Sequence, residues 1–238
     1  MRDERISSAL ALGVCLAIGL IVAGYLVGDA LLKARSAERF VTVKGLSERI
    51  TEADLAIWNI SFRDAANDLE GLQQLVDANK AKVHNFLLEM GFEEAEISSM
   101  PPEITDVKSL PYMDPSRDRE FRYTAVTRLT LRSAKVPLVK KALERAGELV
   151  SMGIALAEDS ATEFSFTKLN DIKPEMIAEA TKNAREAAEQ FARDSGSRVG
   201  AIRRANQGYF TIDNRDKGSP DYKSVRVVTT VEFFLTSP

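Results

Sequence analysis

Apolar and polar positions alternate or recur with clear periods along most of this chain. "FVTVKGL" (40–46), "LAIWNISF" (55–62), "YTAVTRLTL" (123–131) and "VRVVTTVEFFL" (225–235) alternate as half-buried strands do. In the last of these, Val225, Val227, Thr229, Val231, Phe233 and Leu235 share one face. Residues 68–90 carry Leu72, Leu75, Val76, Val83, Phe86, Leu87 and Met90 at helical spacing, with Asp68 as N-cap and Gly91 as stop. Residues 135–150 repeat the helical pattern through Val139, Leu143, Ala146 and Val150. Residues 173–195 are a third helix, with Pro174 in the first turn, Gly196 at the end, and Ile177, Ala180, Ala184, Ala187, Ala188 and Phe191 on one face. "SERITE" (47–52) is polar and predicts a turn, so strands 39–46 and 53–64 pair as a hairpin. Stretches 95–107, 152–168 and 198–212 are extended, and Pro101 and Pro102 confine the first to a sheet edge or an interruption.

The order of elements repeats. Strand 53–64, helix 68–90, strand 95–107 and strand 121–133 are followed, at an offset of about 104 residues, by strand 155–168, helix 173–195, strand 198–212 and strand 224–236. The expectation is an α+β fold with antiparallel-rich sheet, helices on one face, and two β-α-β-β units (53–133 and 155–236) joined by helix 135–150.

A different pattern opens the chain. Arg2 and Arg5 precede "ISSALALGVCLAIGLIVAGYLVG" (6–28), which carries no charge. A bilayer-spanning helix needs about 20 apolar residues, whereas a cleaved signal has an apolar core of about 7–15 and an A-x-A-like site. "ARSA" (34–37) puts a charge beside the candidate bond, and Val14 spoils a lipoprotein site at Cys15. The expected division is a membrane anchor and link over 1–38 and an α+β domain over 39–238, with a cleaved signal as the alternative. Arg2 and Arg5 on one side and Lys33, Arg35 and Arg39 on the other leave orientation undecided by charge.

Composition changes this picture little. The 238 residues are 45% apolar, enough for a packed core, and the net charge is −3. No basic block argues for nucleic acid as partner. The single cysteine, Cys15, excludes an intrachain disulfide framework. Candidate chemistry is thin. His84 is the one histidine and lies beside the apolar stripe of its helix, so His-dependent triads and H-E-x-x-H sites lack their parts. "SFTK" (165–168) matches S-x-x-K, but residues three apart on a strand face opposite ways. "DNRDKG" (213–218) places Arg215 and Lys217 where a calcium loop needs oxygen ligands. Asp106, Asp114 and Asp118 fit a solvated loop better than a divalent-ion site. No catalytic residue, metal ligand or cofactor is assigned.

Two long loops, 108–120 and 213–223, occupy the same place in the two units. Each carries proline and one tyrosine: Pro111, Tyr112 and Pro115 in the first, Pro220 and Tyr222 in the second. Loops longer than a hairpin connection are often functional, and tyrosine supplies contact area at low entropic cost. These five residues are the candidate contact surface for subunits or a partner protein.

"RFVTVKGLSERITEADLAIW" (39–58) and "ANQGYFTIDNRD" with "SVRVVTTVEFF" (205–234) resemble the SIMPL family of bacterial exported proteins. The resemblance rests on the V-x-V-x-G strand (Val41, Val43, Gly45), the pair Ala53 and Asp54, and the Ala-rich helix ending in "FARDSGSRVG". It implies an α+β fold, a cell-envelope location, oligomers, and a loose link to oxidative or envelope stress, with no agreed catalytic residues. The expectation is a single-pass inner-membrane protein, held through residues 6–28 with the C-terminal domain outside the cytoplasm. It acts as a non-enzymatic scaffold or binding module, alone or as a homo-oligomer. The alternative is a hydrolase or metal-dependent enzyme with a site the sequence does not reveal.

Half-exposed helix substitutions usually change stability by less than about 0.5 kcal/mol. His84→Ala is therefore expected to leave both the urea unfolding midpoint and any cellular phenotype unchanged. Loss of phenotype at unchanged stability would instead make His84 a functional group.

Overall fold

Hydrogen bonding along the alternating stretches produces two antiparallel sheets. A computed structural model describes residue 13 and residues 16–31, 39–109 and 120–236. Its elements are α1 (16–31), β1 (Phe40–Glu52), β2 (Leu55–Ala66), α2 (Leu69–Glu89), β3 (Ile97–Ser99), β4 (Glu103–Asp106), β5 (Tyr123–Ser133), α3 (Val136–Glu144), α4 (Gly147–Ser151), β6 (Ala161–Ser165), α5 (Leu169–Asp194), β7 (Arg198–Gln207), β8 (Thr211–Asn214) and β9 (Tyr222–Thr236). One sheet has the order β3-β5-β2-β6, with β4 also on β5; the other is β1-β9-β7, with β8 on β9. The chain divides into two compact units: residues 49–172 with 211–225, and residues up to 48 with 173–210 and 226 onward.

In the first unit β2 and β5 pair along their whole length, from Ala56 opposite Ser133 to Ala66 opposite Tyr123. This register puts Trp58, Ile60 and Phe62 on the same face as Leu129 and Leu131. Val83, Phe86 and Leu87 of α2, Val139 and Ala142 of α3, and Leu149 of α4 close over that face. Asp68 caps α2 by accepting from Gly71 N–H at 2.7 Å, and Gly91 ends it at φ 98°. The second unit packs α5 on Val41, Val231 and Phe233. The buried row of α5 is Met176, Ala180, Ala184, Ala188 and Ala192, a strict i, i+4 row. Phe191, placed on that face by the sequence pattern, is 52% exposed.

Several sequence expectations are corrected. "SERITE" is not a turn. β1 continues through it to Glu52, and β1 and β2 lie in different sheets, so they form no hairpin. The alternation persists there in small polar residues: Ser47 is buried and donates its hydroxyl to Glu179 Oε2 at 2.7 Å. The reversal occurs instead at Ala53–Asp54. Ala53 N–H donates to Asp221 O at 2.8 Å and Asp54 N–H to Ser165 O at 3.0 Å. The Asp54 carboxylate accepts from the backbone N–H and the hydroxyl of Thr167 at 2.8 and 3.1 Å.

Stretch 95–107 is split into β3 and β4 around Met100–Pro102, as two prolines require. Helix 135–150 breaks at Arg145–Ala146 into α3 and α4, and α5 starts at Leu169. Strand 198–212 divides into β7 and β8. The first β-α-β-β unit has its strands in one sheet. The second does not run from 155 to 236 in the same way: β6 pairs with β2, Leu55 opposite Ser165, while β1 takes the place beside β9. Phe164 of β6 is buried in the first unit's core, which accounts for its sheet.

Two consequences are measurable. A Cβ on Gly45 would lie 1.8 Å from Ala180 O and 2.5 Å from Ala184 N, both backbone atoms of α5. Gly45→Ala is expected to destabilise by about 3 kcal/mol in chemical denaturation, as overpacking against an unyielding partner does.

Asp64, at the end of β2, is buried. Oδ1 accepts from Asn79 Nδ2 at 2.6 Å and Oδ2 has no hydrogen-bond partner among the described residues. Burial raises its pKa, against the opposing effects of Asn79 and Lys82. A carboxyl with a raised folded-state pKa contributes most below its unfolded value, near 4, and the contribution is lost as pH rises through the folded value. Asp64→Asn is expected to gain stability relative to wild type as pH is raised from about 4 to 7 in urea titrations. A pH-independent difference would contradict this.

Candidate functional site

β9 alternates inward and outward without a break from Tyr222, and the inward row begins one step before the apolar run. That first inward residue is Lys223, which is 8% exposed. A buried lysine needs partners or loses its charge. Its Nζ donates to Oδ1 of Asn214, across the β8–β9 hairpin. Among the described residues no carboxylate lies within ion-pair distance. Burial lowers the Lys223 pKa, and the fields of Glu163 and Asp221 counteract this in part.

Lys223 forms part of the wall of a cleft of about 500 Å³. Glu163, Phe164, Ser165 and Phe166 line one side, from β6 and the residue after it. Ile212, Asp213 and Asn214 of β8 line the other. Each wall is held by the chain's own bonding. β6 is fixed by pairing to β2, and the segment after it by the Asp54–Thr167 bonds. The hairpin is fixed by Arg215, whose Nε meets Asp216 Oδ2 at 2.8 Å and whose Nη2 donates to Ser219 Oγ at 2.7 Å. The site thus combines one amine, two carboxylates, an amide and apolar surface. Convergent polar groups beside apolar surface, with a perturbed titrating residue among them, mark a candidate ligand site.

A second cleft of about 530 Å³ differs in character. Its charges are largely spent on each other. Lys140 Nζ is 2.6 Å from Asp221 Oδ2, an interaction that holds the Asp221 carboxyl below its ordinary range, and Tyr222 donates its hydroxyl to Glu52 Oε1 at 3.0 Å. These bonds tie the start of β9 to β1 and α3.

Pro111, Tyr112 and Pro115 lie outside the described residues. Pro220 is exposed in the turn between β8 and β9. Tyr222 is the first residue of β9, half-buried, with the Arg215 guanidinium 4.5 Å from its ring centre. Most of the expected loop 213–223 is therefore a tied hairpin. His84 pairs through Nε2 with Glu94 at 2.9 Å. Ser165 Oγ reaches Glu163 Oε1 at 3.5 Å, and no hydrogen bond joins it to Lys168 among the described residues. Among the described residues no group of three or more His, Cys, Asp or Glu is placed to hold a metal ion. The sequence pattern does not single out Lys223, because the residue ends the polar stretch 213–223. The available signal was its parity with Val225, Val227 and Thr229.

No curated protein matches the chain. The SIMPL family, described as a protein of unknown function (DUF541), matches over residues 41–233, from β1 to Phe233 of β9. The match takes in both sheets, the Gly45 contact and the Lys223 cleft, and the chain belongs to the SIMPL family.

Proposed function

We propose that this protein is a non-enzymatic binding module of the bacterial cell envelope, anchored in the inner membrane through residues 6–28 with its SIMPL domain outside the cytoplasm. The observation that carries this reading is α1. Its apolar side chains are exposed around the helix, with Ile21 71% and Leu31 65% exposed. A helix that is apolar all round is stable when something apolar surrounds it, and a bilayer does so for an uncharged run of this length. No helix among the described residues is long and apolar enough to cross a membrane. The anchor reading therefore rests on the sequence of the whole run 6–28 together with the exposure of 16–31.

Binding is favoured over turnover because the sequence supplies no nucleophile–base pair, and its one histidine is engaged by Glu94. The Lys223 cleft is the ligand site of this reading. Exposed Pro220, together with the 108–120 loop, is the surface offered to a second copy or an envelope partner. The family resemblance gives the context of envelope or oxidative stress.

The full-length protein is expected to stay in membranes through a carbonate wash and to move to the soluble fraction when residues 6–28 are deleted. A mature N-terminus near residue 30–38 would overturn the anchor. A C-terminal reporter active only in the cytoplasm would overturn the orientation.

A further inference from the structure

Lys223 stands where the strand pattern calls for a hydrophobic residue, and the cleft around it suggests why. An ammonium has three N–H donors, and a neutral amine has two and a lone pair. Nζ donates one hydrogen bond within the protein, to Asn214 Oδ1. Its remaining capacity has no partner among the described residues. The group is nine-tenths buried yet lines an open cleft of about 500 Å³. Phe166 and Ile212 give that cleft apolar surface, and Glu163 and Asp213 give it negative charge.

This lining discriminates among ligands. An anionic ligand would gain Lys223 and meet two carboxylates, so the balance of charge disfavours it. A cationic ligand would leave the amine without a complement. A neutral ligand with an electrophilic, hydrogen-bond-accepting atom suits both the apolar wall and the amine. We propose that Lys223 captures small neutral aldehydes or ketones in this cleft as a reversible imine. The nitrogen lone pair adds to the carbonyl carbon, and the carbonyl oxygen becomes a hydroxyl as nitrogen gives up a proton. The hydroxyl then leaves as water, carrying the second proton, so one amine and one carbonyl yield one imine and one water. No oxidant or reductant enters. Burial supports the first step, because it leaves a larger share of Lys223 as free amine than a surface lysine has at neutral pH. The inference rests on the Lys223 cleft being the ligand site and is independent of the membrane anchor.

The test is reductive trapping on the detergent-solubilised full-length protein. Propanal and sodium cyanoborohydride are added at neutral pH, and adducts on each lysine are counted by peptide mass spectrometry. Lys223 is expected to label several-fold faster than the exposed lysines, because burial leaves more of it as free amine. The preference is expected to vanish in concentrated urea and to weaken with glyoxylate, whose carboxylate meets Glu163 and Asp213. Lys223→Arg is expected to remove the fast adduct. Labelling of Lys223 at or below the rate of exposed lysines in the folded wild-type protein would overturn the proposal, and this reading needs no variant to fold. Equal rates for propanal and glyoxylate would overturn the neutral-ligand class. Neither result bears on the anchor, which membrane fractionation reads separately.

Discussion

In the second unit β1 meets α5 at a glycine, and α5 meets it with a row of alanines. Gly45 of β1 lies against the backbone of α5, where even a methyl group would collide with Ala180 O. That approach explains why the buried row of α5 is four alanines behind Met176. A leucine at 180 or 184 would lift the helix off the sheet. It also explains which polar groups join the two elements. Ser47 donates to Glu179, and Asn183 Nδ2 donates to Leu46 O at 2.8 Å. β1 is an edge strand, and an edge leaves backbone groups unpaired. A helix at this distance can satisfy one of them from a short side chain.

The first unit is built by a different rule. Its interior comes from large side chains in matched register, with Trp58 opposite Leu131 and Ile60 opposite Leu129. Each such residue contributes about 1.5–3 kcal/mol on full burial. Asp64 and Thr127 are buried in it with a side-chain oxygen that has no hydrogen-bond partner among the described residues, and Thr229 of the second unit is buried in the same way. Lys223 belongs to the first unit, and its walls are supplied by β6 and β8, two short strands at the sheet margins.

The elements legible in the sequence were those whose own period decided their state. β2, β5 and β9 alternate over eleven residues or more, and α2 has both its cap and its glycine stop. What was not legible depended on partners distant in the chain. β1 runs through "SERITE" because the packing of α5 accepts Gly45 and Ser47 as inward residues. β6 joins β2 because Phe164 finds the first core. The Ala53–Asp54 pair marked the family in sequence, but its work, bonding to Ser165, Thr167 and Asp221, needed the fold to appear. Tyr222 changed role for the same reason: its hydroxyl is committed to Glu52 and its ring to Arg215.

Lys223 is the place where local pattern and residue type conflict most openly. A leucine or methionine there would extend the inward row of β9 and avoid desolvating an amine. Burying a charged group without an ion pair disfavours folding, and in practice its pKa shifts toward neutrality. Such conflicts concentrate at functional sites, where stability is traded for chemistry. The surrounding structure is consistent with a trade of this kind. Arg215 ties the hairpin that carries Asn214, Asp54 ties the segment after β6, and both restrain the walls rather than the amine. Asn214, as a neutral acceptor, holds Nζ in place while adding no charge that would stabilise the ammonium as a nearby carboxylate would. An aspartate at 214 would raise the lysine's pKa and turn the pair into an ordinary buried salt bridge. The asparagine leaves the amine positioned, partly desolvated and facing a cleft, which is the arrangement a nucleophilic lysine requires.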